Sequence, residues 1–327
     1  MGSVLRGEGV PAGDFYEFLG RLGHKILSAG GATWYDVQPR VLLAVPHFRT
    51  VSLSEETIGW LLAEHRLRAL RFPTDPAQFG FESTLTINCN RDYGLKALHR
   101  KARNQTLRAL ERCTIERTEF AFLAREGLRL NRDTAARQHV GNQFVDESYW
   151  TRYCYAASQC QGLASWCAFL EGRLAAFLIA VEIDGWVEWI VNHALSETRQ
   201  AYPNNALAYV AGQHYLQDPG CAGICYGLGS LEPTPDLDHF KTRMGWNLVP
   251  IRQRLALSGS YHLASQITPM WGLRLLGRLT RRTYRARKAV AIFTRYKAQS
   301  AGVMMPQESR ADFVERQPGG GQRKDEI

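Results

Sequence analysis

The sequence has no apolar run long enough to cross a bilayer. Its longest, Leu174 to Ile183, is interrupted by Glu182 and falls well short of the roughly 20 residues a spanning helix needs. Met1 to Gly20 has no apolar segment and carries Glu8, Asp14 and Glu17, so no secretory leader is expected. The seven cysteines are odd in number and include no CxxC pair. That argues against a disulfide framework and for a reduced, cytoplasmic chain. Cys221 and Cys225 are expected to be small buried hydrophobes. Acidic residues are missing altogether from Asn247 to Gln307, where eleven arginines and lysines stand, more than the net charge of +9 carried by the whole chain. An acidic partner is expected there: a lipid headgroup, a nucleic acid or a phosphorylated substrate.

What is present is an ordinary globular composition. The chain of 327 residues has 45% hydrophobic and 22% charged side chains, enough for one large or two modest cores. After a glycine-rich start, a helix is predicted from Asp14 to Leu27, ended by Gly30-Gly31. Strands are predicted at Trp34 to Val45 and Leu67 to Phe72, around a helix from Leu53 to Glu64. Phe81 to Asn88 alternates as a strand. A basic helix is predicted from Asp92, with Leu95, Leu98, Ala102 and Ala109 along one face, and Ile115 to Phe120 returns as a strand. Ala121 to Cys160 reads as two helices, the second starting near Asp146 or Ser148.

Three strands follow, Leu163 to Leu170, Leu174 to Ile183 and Trp186 to Ala194. The last two are joined by Asp184-Gly185, a tight-hairpin signal. A polar loop with Pro203 leads to a helix that Asn204 or Asn205 can cap, with Leu207, Val210, Ala211 and His214 on one face. A short strand, Ala222 to Gly227, precedes a helix from Asp236 carrying Leu237, Phe240 and Met244, which Gly245 ends. Leu248 to Leu257 closes the order as a strand. Trp271 to Lys297 is predicted helical, with Leu275, Leu279, Ala286, Val290 and Phe293 as an apolar stripe. Beyond Ser300 the composition turns polar, and Gly319-Gly320-Gly321 predicts a disordered tail.

Four short segments carry a family resemblance. They are Leu98-His99-Arg100-Lys101-Ala102-Arg103-Asn104-Gln105, Tyr202-Pro203-Asn204-Asn205-Ala206-Leu207, Tyr226-Gly227-Leu228-Gly229 and Phe240-Lys241-Thr242-Arg243-Met244-Gly245. Their kind and order resemble the GNAT acyltransferase superfamily in its FemAB-like branch. The resemblance implies an α/β fold of two tandem GNAT-like domains with mixed central sheets, plus a basic C-terminal helix. The expected divisions are 1–118 for the first domain, 119–260 for the catalytic one, 261–300 for the basic helical segment and 301–327 for the tail. It also implies transfer of an acyl group to an amine, at a V-shaped opening between two central parallel strands. That opening would be flanked by Asn192, His193 and Ala194 on one side and Tyr226, Gly227 and Gly229 on the other.

Acyl transfer needs a proton acceptor for the amine, a donor for the carbonyl oxygen as it becomes negative, and alignment of two substrates. His193 is a candidate proton acceptor and Asn192 a candidate carbonyl orienter. Alternation sends these two to opposite faces, and places Glu188, another candidate base, on the Asn192 face. For each the bland alternative is structural: a hydrogen-bonded histidine, or a charge at a strand start. Asn204, Asn205 and Ala206 would present N–H groups at a helix start to the pyrophosphate of coenzyme A, with Arg199 adding charge. The superfamily's usual glycine-bearing loop is not there, since Arg199 to Ala206 contains no glycine. By resemblance, Phe240 and Lys241 hold the donor and Lys241 steadies developing charge. Phe240 equally fits a core stripe. Arg100 and Arg103 can meet a phosphate or simply form a wet helix face.

The expected protein is a cytoplasmic N-acyltransferase, peripheral at the inner membrane face if its basic helix meets lipid. No permanently bound cofactor and no metal are expected. Acyl-CoA is the first choice of co-substrate and aminoacyl-tRNA the second. The acceptor is the amine of a sugar, cell-envelope precursor or other small molecule in the cleft between domains. Trp271 to Lys297 would meet an anionic membrane surface, or tRNA phosphates. The rival is a binding protein that keeps this fold without catalysis.

Overall fold

The computed structural model describes residues 12–138, 143–232, 235–279 and 284–299. The tail expected at 301–327 lies outside them. The strands are β1 (Ile26–Ala29), β2 (Ala32–Gln38), β3 (Val41–Val45), β4 (Ala69–Thr74), β5 (Phe81–Asn88), β6 (Cys113–Thr118), β7 (Leu163–Leu170), β8 (Arg173–Ile183), β9 (Trp186–Ala194), β10 (Gly223–Leu228) and β11 (Asn247–Leu257). The helices are α1 (Ala12–Arg21), α2 (Glu55–Glu64), α3 (Arg100–Leu110), α4 (Phe120–Gln138), α5 (Glu147–Ser158), α6 (Pro203–Gln217), α7 (Pro235–Arg243), α8 (Gly259–Ile267), α9 (Met270–Leu279) and α10 (Tyr284–Lys297).

All eleven strands form one mixed sheet in the order β1-β2-β3-β4-β11-β5-β10-β9-β8-β7-β6. Leaving aside β6 at one edge, the two halves of the order mirror each other about the β11–β5 pair. On one side an antiparallel meander β1-β2-β3 is followed by α2 and by β4, parallel to β3. On the other, β7-β8-β9 is followed by α6 and by β10, parallel to β9. Each half then lends a strand: β11 inserts between β4 and β5, while β5 lies against β10. The sheet is therefore continuous across the boundary expected at residue 118, and β6 pairs with β7.

Helices cover both faces. The inner face carries α1, α4 and α5 over Phe177, Ile179, Val191, Cys225, Leu85 and Ile87, and α10 over Phe81 and Leu255. The outer face carries α3, α6 and α7 over Leu178, Val187, Trp189, Ile224 and Trp246, and α2 over Leu42, Leu70 and Phe72. Five strand spacings separate β3 from β9, roughly 24 Å on a flat sheet. His47, two residues past β3, nevertheless touches Glu188 of β9. Phe48 stacks on Trp186 and Arg49 pairs with Asp184, so the sheet curls toward its inner face.

Several local expectations change. The first helix stops at Arg21, because Ile26–Ala29 pairs as β1; Gly30-Gly31, both at positive φ, is a hairpin turn and not a helix stop. The strand expected over Trp34 to Val45 is two, folded at Pro39-Arg40 with Arg40 left-handed. The basic helix starts eight residues later than expected, at Arg100, with the His99 side chain accepting from the Lys101 N–H. Asp146 caps α5 as expected, accepting from the Tyr149 N–H. The segment expected as one basic helix is α9 and α10, preceded by α8.

Candidate active site

Strands β9 and β10 pair in parallel only from Trp186/Gly223 to Glu188/Cys225. Beyond that point the two part. Each strand bulges just past the last paired residue: Ile190 has no partner on β8, and Tyr226 none on β5. Gly227 takes φ 96°, a left-handed value suited to glycine. The result is a slot between the strand ends, spanned by a side-chain bond in which Asn192 Nδ2 donates to Tyr226 Oη at 3.1 Å.

The outer side of this slot is rich in donors. Tyr226, Trp189 and Trp246 pack ring to ring with centroids 4.7 to 5.4 Å apart. The Lys241 ammonium lies 4.7 Å from the Tyr226 ring centroid, and donates to Thr86 Oγ1 at 3.4 Å. Lys241 is 4% exposed, and no carboxylate among the described residues comes within ion-pair distance of it. Burial therefore lowers its pKa, with Asp238 opposing weakly. Burial also pushes the Tyr226 hydroxyl up to about 12, which keeps it a proton donor at neutral pH. Among the described residues the buried indole N–H groups of Trp189 and Trp246, and Asn192 Oδ1, have no hydrogen-bond partner. Unsatisfied buried donors cost about 1–3 kcal/mol each. The two indole N–H groups, beside a lysine with no carboxylate partner among the described residues, are donors suited to an oxygen bearing negative charge, while Asn192 Oδ1 is an acceptor.

The inner side has a different character. Glu188, 2% exposed, accepts the His47 backbone N–H at 2.5 Å and meets the His47 imidazole Nδ1 at 3.0 Å. The expectation that Glu188 shares a face with Asn192 is corrected: the Ile190 bulge shifts the alternation by one residue. Glu188 and His193 thus face inward, while Asn192 faces Lys241. His193 sits between Phe144 and Phe177 with Nδ1 2.6 Å from Asn131 Oδ1. Burial, helped by Arg137, lowers its pKa to about 4. It is neutral at pH 7 and a poor proton acceptor.

A second inner group was missed by sequence reasoning. Arg71 occupies, in the β3–β4 pair, the last paired position that Cys225 occupies in the β9–β10 pair. Its Nε donates to Gln253 Oε1 at 2.7 Å, and Nη2 to the Gly229 carbonyl at 3.1 Å, just past the end of β10. Gln253 Nε2 in turn donates to Ser83 Oγ and to Gly229 O. Burial, with Arg295 nearby, lowers the Arg71 pKa to about 10. Tyr35 feels both Glu188 and Arg71, and burial raises its pKa. Nothing local in the sequence marks His47 or Arg71; topology brings them in.

The other expected residues are placed as follows. Helix α6 begins one residue before Asn204, at Pro203, after a left-handed Tyr202 with φ 55°. Pro203 has no N–H, and the N–H groups of Asn205 and Ala206 both donate to the Tyr202 carbonyl. Asn204 therefore holds the one free backbone N–H of the three. Asn205 and Ala206 are buried and Arg199 is exposed. Phe240 packs on the outer core. Separately, a cavity of about 730 Å³ is walled by β2, β3, α10 and Phe144. None of Glu188, Asn192, Tyr226 or Lys241 lines it, so it is not the slot.

In the solved structures, FemX matches with a TM-score of 0.50 at 13% identity, over 78% of this chain and 93% of that one. The chain has the tandem GNAT fold of the FemAB-like proteins. A second match is the C-terminal DUF2156 domain of an Agrobacterium fabrum protein described as a lysylphosphatidylglycerol synthetase. It has TM-score 0.50 and 13% identity, over 77% of this chain and 90% of that one. No protein-family model and no curated protein matches the chain by sequence. In this GNAT frame β9 and β10 are the central parallel strands, and their ends past Glu188 and Cys225 are unpaired with each other. Among the described residues, no helix is long and apolar enough to cross a membrane and no cluster of metal ligands occurs.

Proposed function

We infer that the chain is an N-acyltransferase, joining an activated acyl group to an amine in the β9–β10 slot. The observation that carries this is the buried Lys241, without a carboxylate partner, among the donors of Tyr226, Trp189 and Trp246 where the strands part. As the amine nitrogen attacks the acyl carbon, the carbonyl oxygen becomes negative, and Lys241, Tyr226 and the two indoles are the buried donors beside it. The nitrogen must also shed a proton. On the inner side the His47 imidazole takes it, with Glu188 orienting the ring and stabilising the imidazolium. The proton then passes to the departing sulfur or oxygen, and the bond to the leaving group breaks. Among the described residues Arg71 has guanidinium N–H groups without a hydrogen-bond partner, available to an anionic part of a substrate.

The start of α6 bears on the donor. One free N–H, a proline and a left-handed tyrosine make a weak seat for a diphosphate. That geometry favours an aminoacyl ester carried on tRNA over acyl-CoA, and the description of the Agrobacterium neighbour is in keeping with it. The acceptor is an amine of a small molecule, a sugar or a cell-envelope precursor.

The test is direct. The purified protein is incubated with a labelled amine acceptor mixture and either acyl-CoA thioesters or charged tRNA, and products are read by mass spectrometry. Transfer by wild type and not by Lys241→Met supports the reading. Absence of transfer with both donor classes, together with no thermal shift by either, overturns it in favour of a non-catalytic binding protein.

A further inference from the structure

Large apolar side chains are exposed in one place above all. Leu263, Ile267, Trp271, Leu275 and Leu279 recur every four residues through α8 and α9, and their exposures run from 49% to 75%. Leu273, only 2% exposed, marks the face by which α9 packs, with Gly277 toward Val290 of α10, so Trp271, Leu275 and Leu279 face outward. The chain breaks at Thr268-Pro269 between the two helices, so Leu263 and Ile267 stand on one and Trp271, Leu275 and Leu279 on the other; exposed apolar side chains in such number mark a surface that meets something. A tryptophan at the centre of such a row is the side chain suited to a bilayer interface, with an apolar body and a polar N–H.

Charge decides between occupants. From Met270 to Arg285 the chain carries Arg274, Arg278, Arg281, Arg282 and Arg285 and no acidic residue. A second copy presenting the same row would bring like charges together. A segment of this composition, basic and free of acidic residues, instead suits an anionic bilayer. Among the other basic residues nearby, Arg287 and Lys288 pair with Glu232, Arg254 pairs with Glu55, and Arg295 donates to the Leu231 carbonyl. We propose that α8 and α9 form a docking face that lays the protein on an anionic lipid surface.

The inference is independent of the acyl-transfer reading, because it concerns binding to lipid alone. The test is flotation of the full-length protein with vesicles of phosphatidylcholine, with and without phosphatidylglycerol. Wild type is expected to float with the anionic vesicles, to stay down with the neutral ones, and to be released as salt rises. The double variant Trp271→Glu, Leu275→Glu changes exposed positions. It is expected to keep the wild-type circular dichroism spectrum and melting temperature while losing flotation. Equal flotation of wild type and variant overturns the proposal. So does failure of wild type to float, including a case where size-exclusion chromatography shows a dimer that the double variant splits, or where RNA binding is lost in the variant.

Discussion

Glu188 on β9 receives both the backbone N–H and the imidazole of His47, which stands 141 residues earlier in the chain. The carboxylate is buried and has no other ion-pair partner among the described residues. Glu188→Gln keeps the shape and one acceptor but cannot balance an imidazolium. It is expected to lower kcat by about 10²–10⁴-fold with the fold retained. His47→Gln should fall in the same range, and the double variant should be no worse than either single, since the two act as a unit. Additive losses in steady-state kinetics would show that they do not.

Lys241 gives a prediction in which stability and activity move in opposite directions. Its pKa is lowered below the ordinary 10.5 because burial opposes the charge. Between the lowered folded value and 10.5 the unfolded chain binds the extra proton. Stability therefore rises with pH through that window, and at neutral pH the charge is a cost. Lys241→Met is expected to melt at or above the wild-type temperature at pH 7, with the gap narrowing as pH approaches 10.5. Acyl transfer should drop about 10²–10³-fold, the usual loss of one oxyanion donor. Melting curves across pH for both proteins check the first half, and a variant that melts far below wild type at pH 7 refutes it.

Arg71 is held by Gln253 and by the Gly229 carbonyl, with donors left over. Arg71→Lys keeps a positive charge but loses the planar fork. If the spare donors hold an anionic substrate group, KM should rise about tenfold, one charge-assisted hydrogen bond, with a smaller change in kcat. Kinetics against an uncharged analogue should show no such difference. An equal loss with both substrates would mean that Arg71 only braces the β4–β11 pair.

How much of this was legible in the sequence depends on how local the cause is. Phe81–Asn88, Leu163–Leu170 and Trp186–Ala194 have the bounds that alternation and the Asp184-Gly185 turn predict, because strand period and turn chemistry act over a few residues. Strand order put Asn192 and Tyr226 at neighbouring strand ends, whereas Lys241, on α7, was singled out only by the family resemblance of its segment. The Ile190 bulge was not legible. A single unpaired residue in an apolar strand has no compositional mark, yet it moves Glu188 to the other face. His47 and Arg71 were invisible for a different reason. Their neighbours come from the curl of the sheet and from the insertion of β11 between β4 and β5, contacts that no local window contains.

His193 supplies a test that needs no substrate. Its ring is packed between Phe144 and Phe177 and bonded to Asn131, and its pKa falls from 6.5 to about 4. Below pH 6.5 the unfolded chain takes up a proton that the folded one refuses, so stability falls as pH drops through that window. The loss is complete below about pH 4, where it reaches about 3 kcal/mol, at 1.36 kcal/mol per pKa unit. At pH 7 the folded ring is neutral and the unfolded one largely so, and the residue contributes little of this kind. His193→Gln retains a polar partner for Asn131 and does not titrate. Urea unfolding at pH 7 and pH 5 should therefore show a smaller acid-induced loss in the variant than in wild type, by about 1–2 kcal/mol over that interval. Parallel losses in the two proteins would mean that the ring is protonated in the folded state, which would return His193 to the candidates for proton transfer.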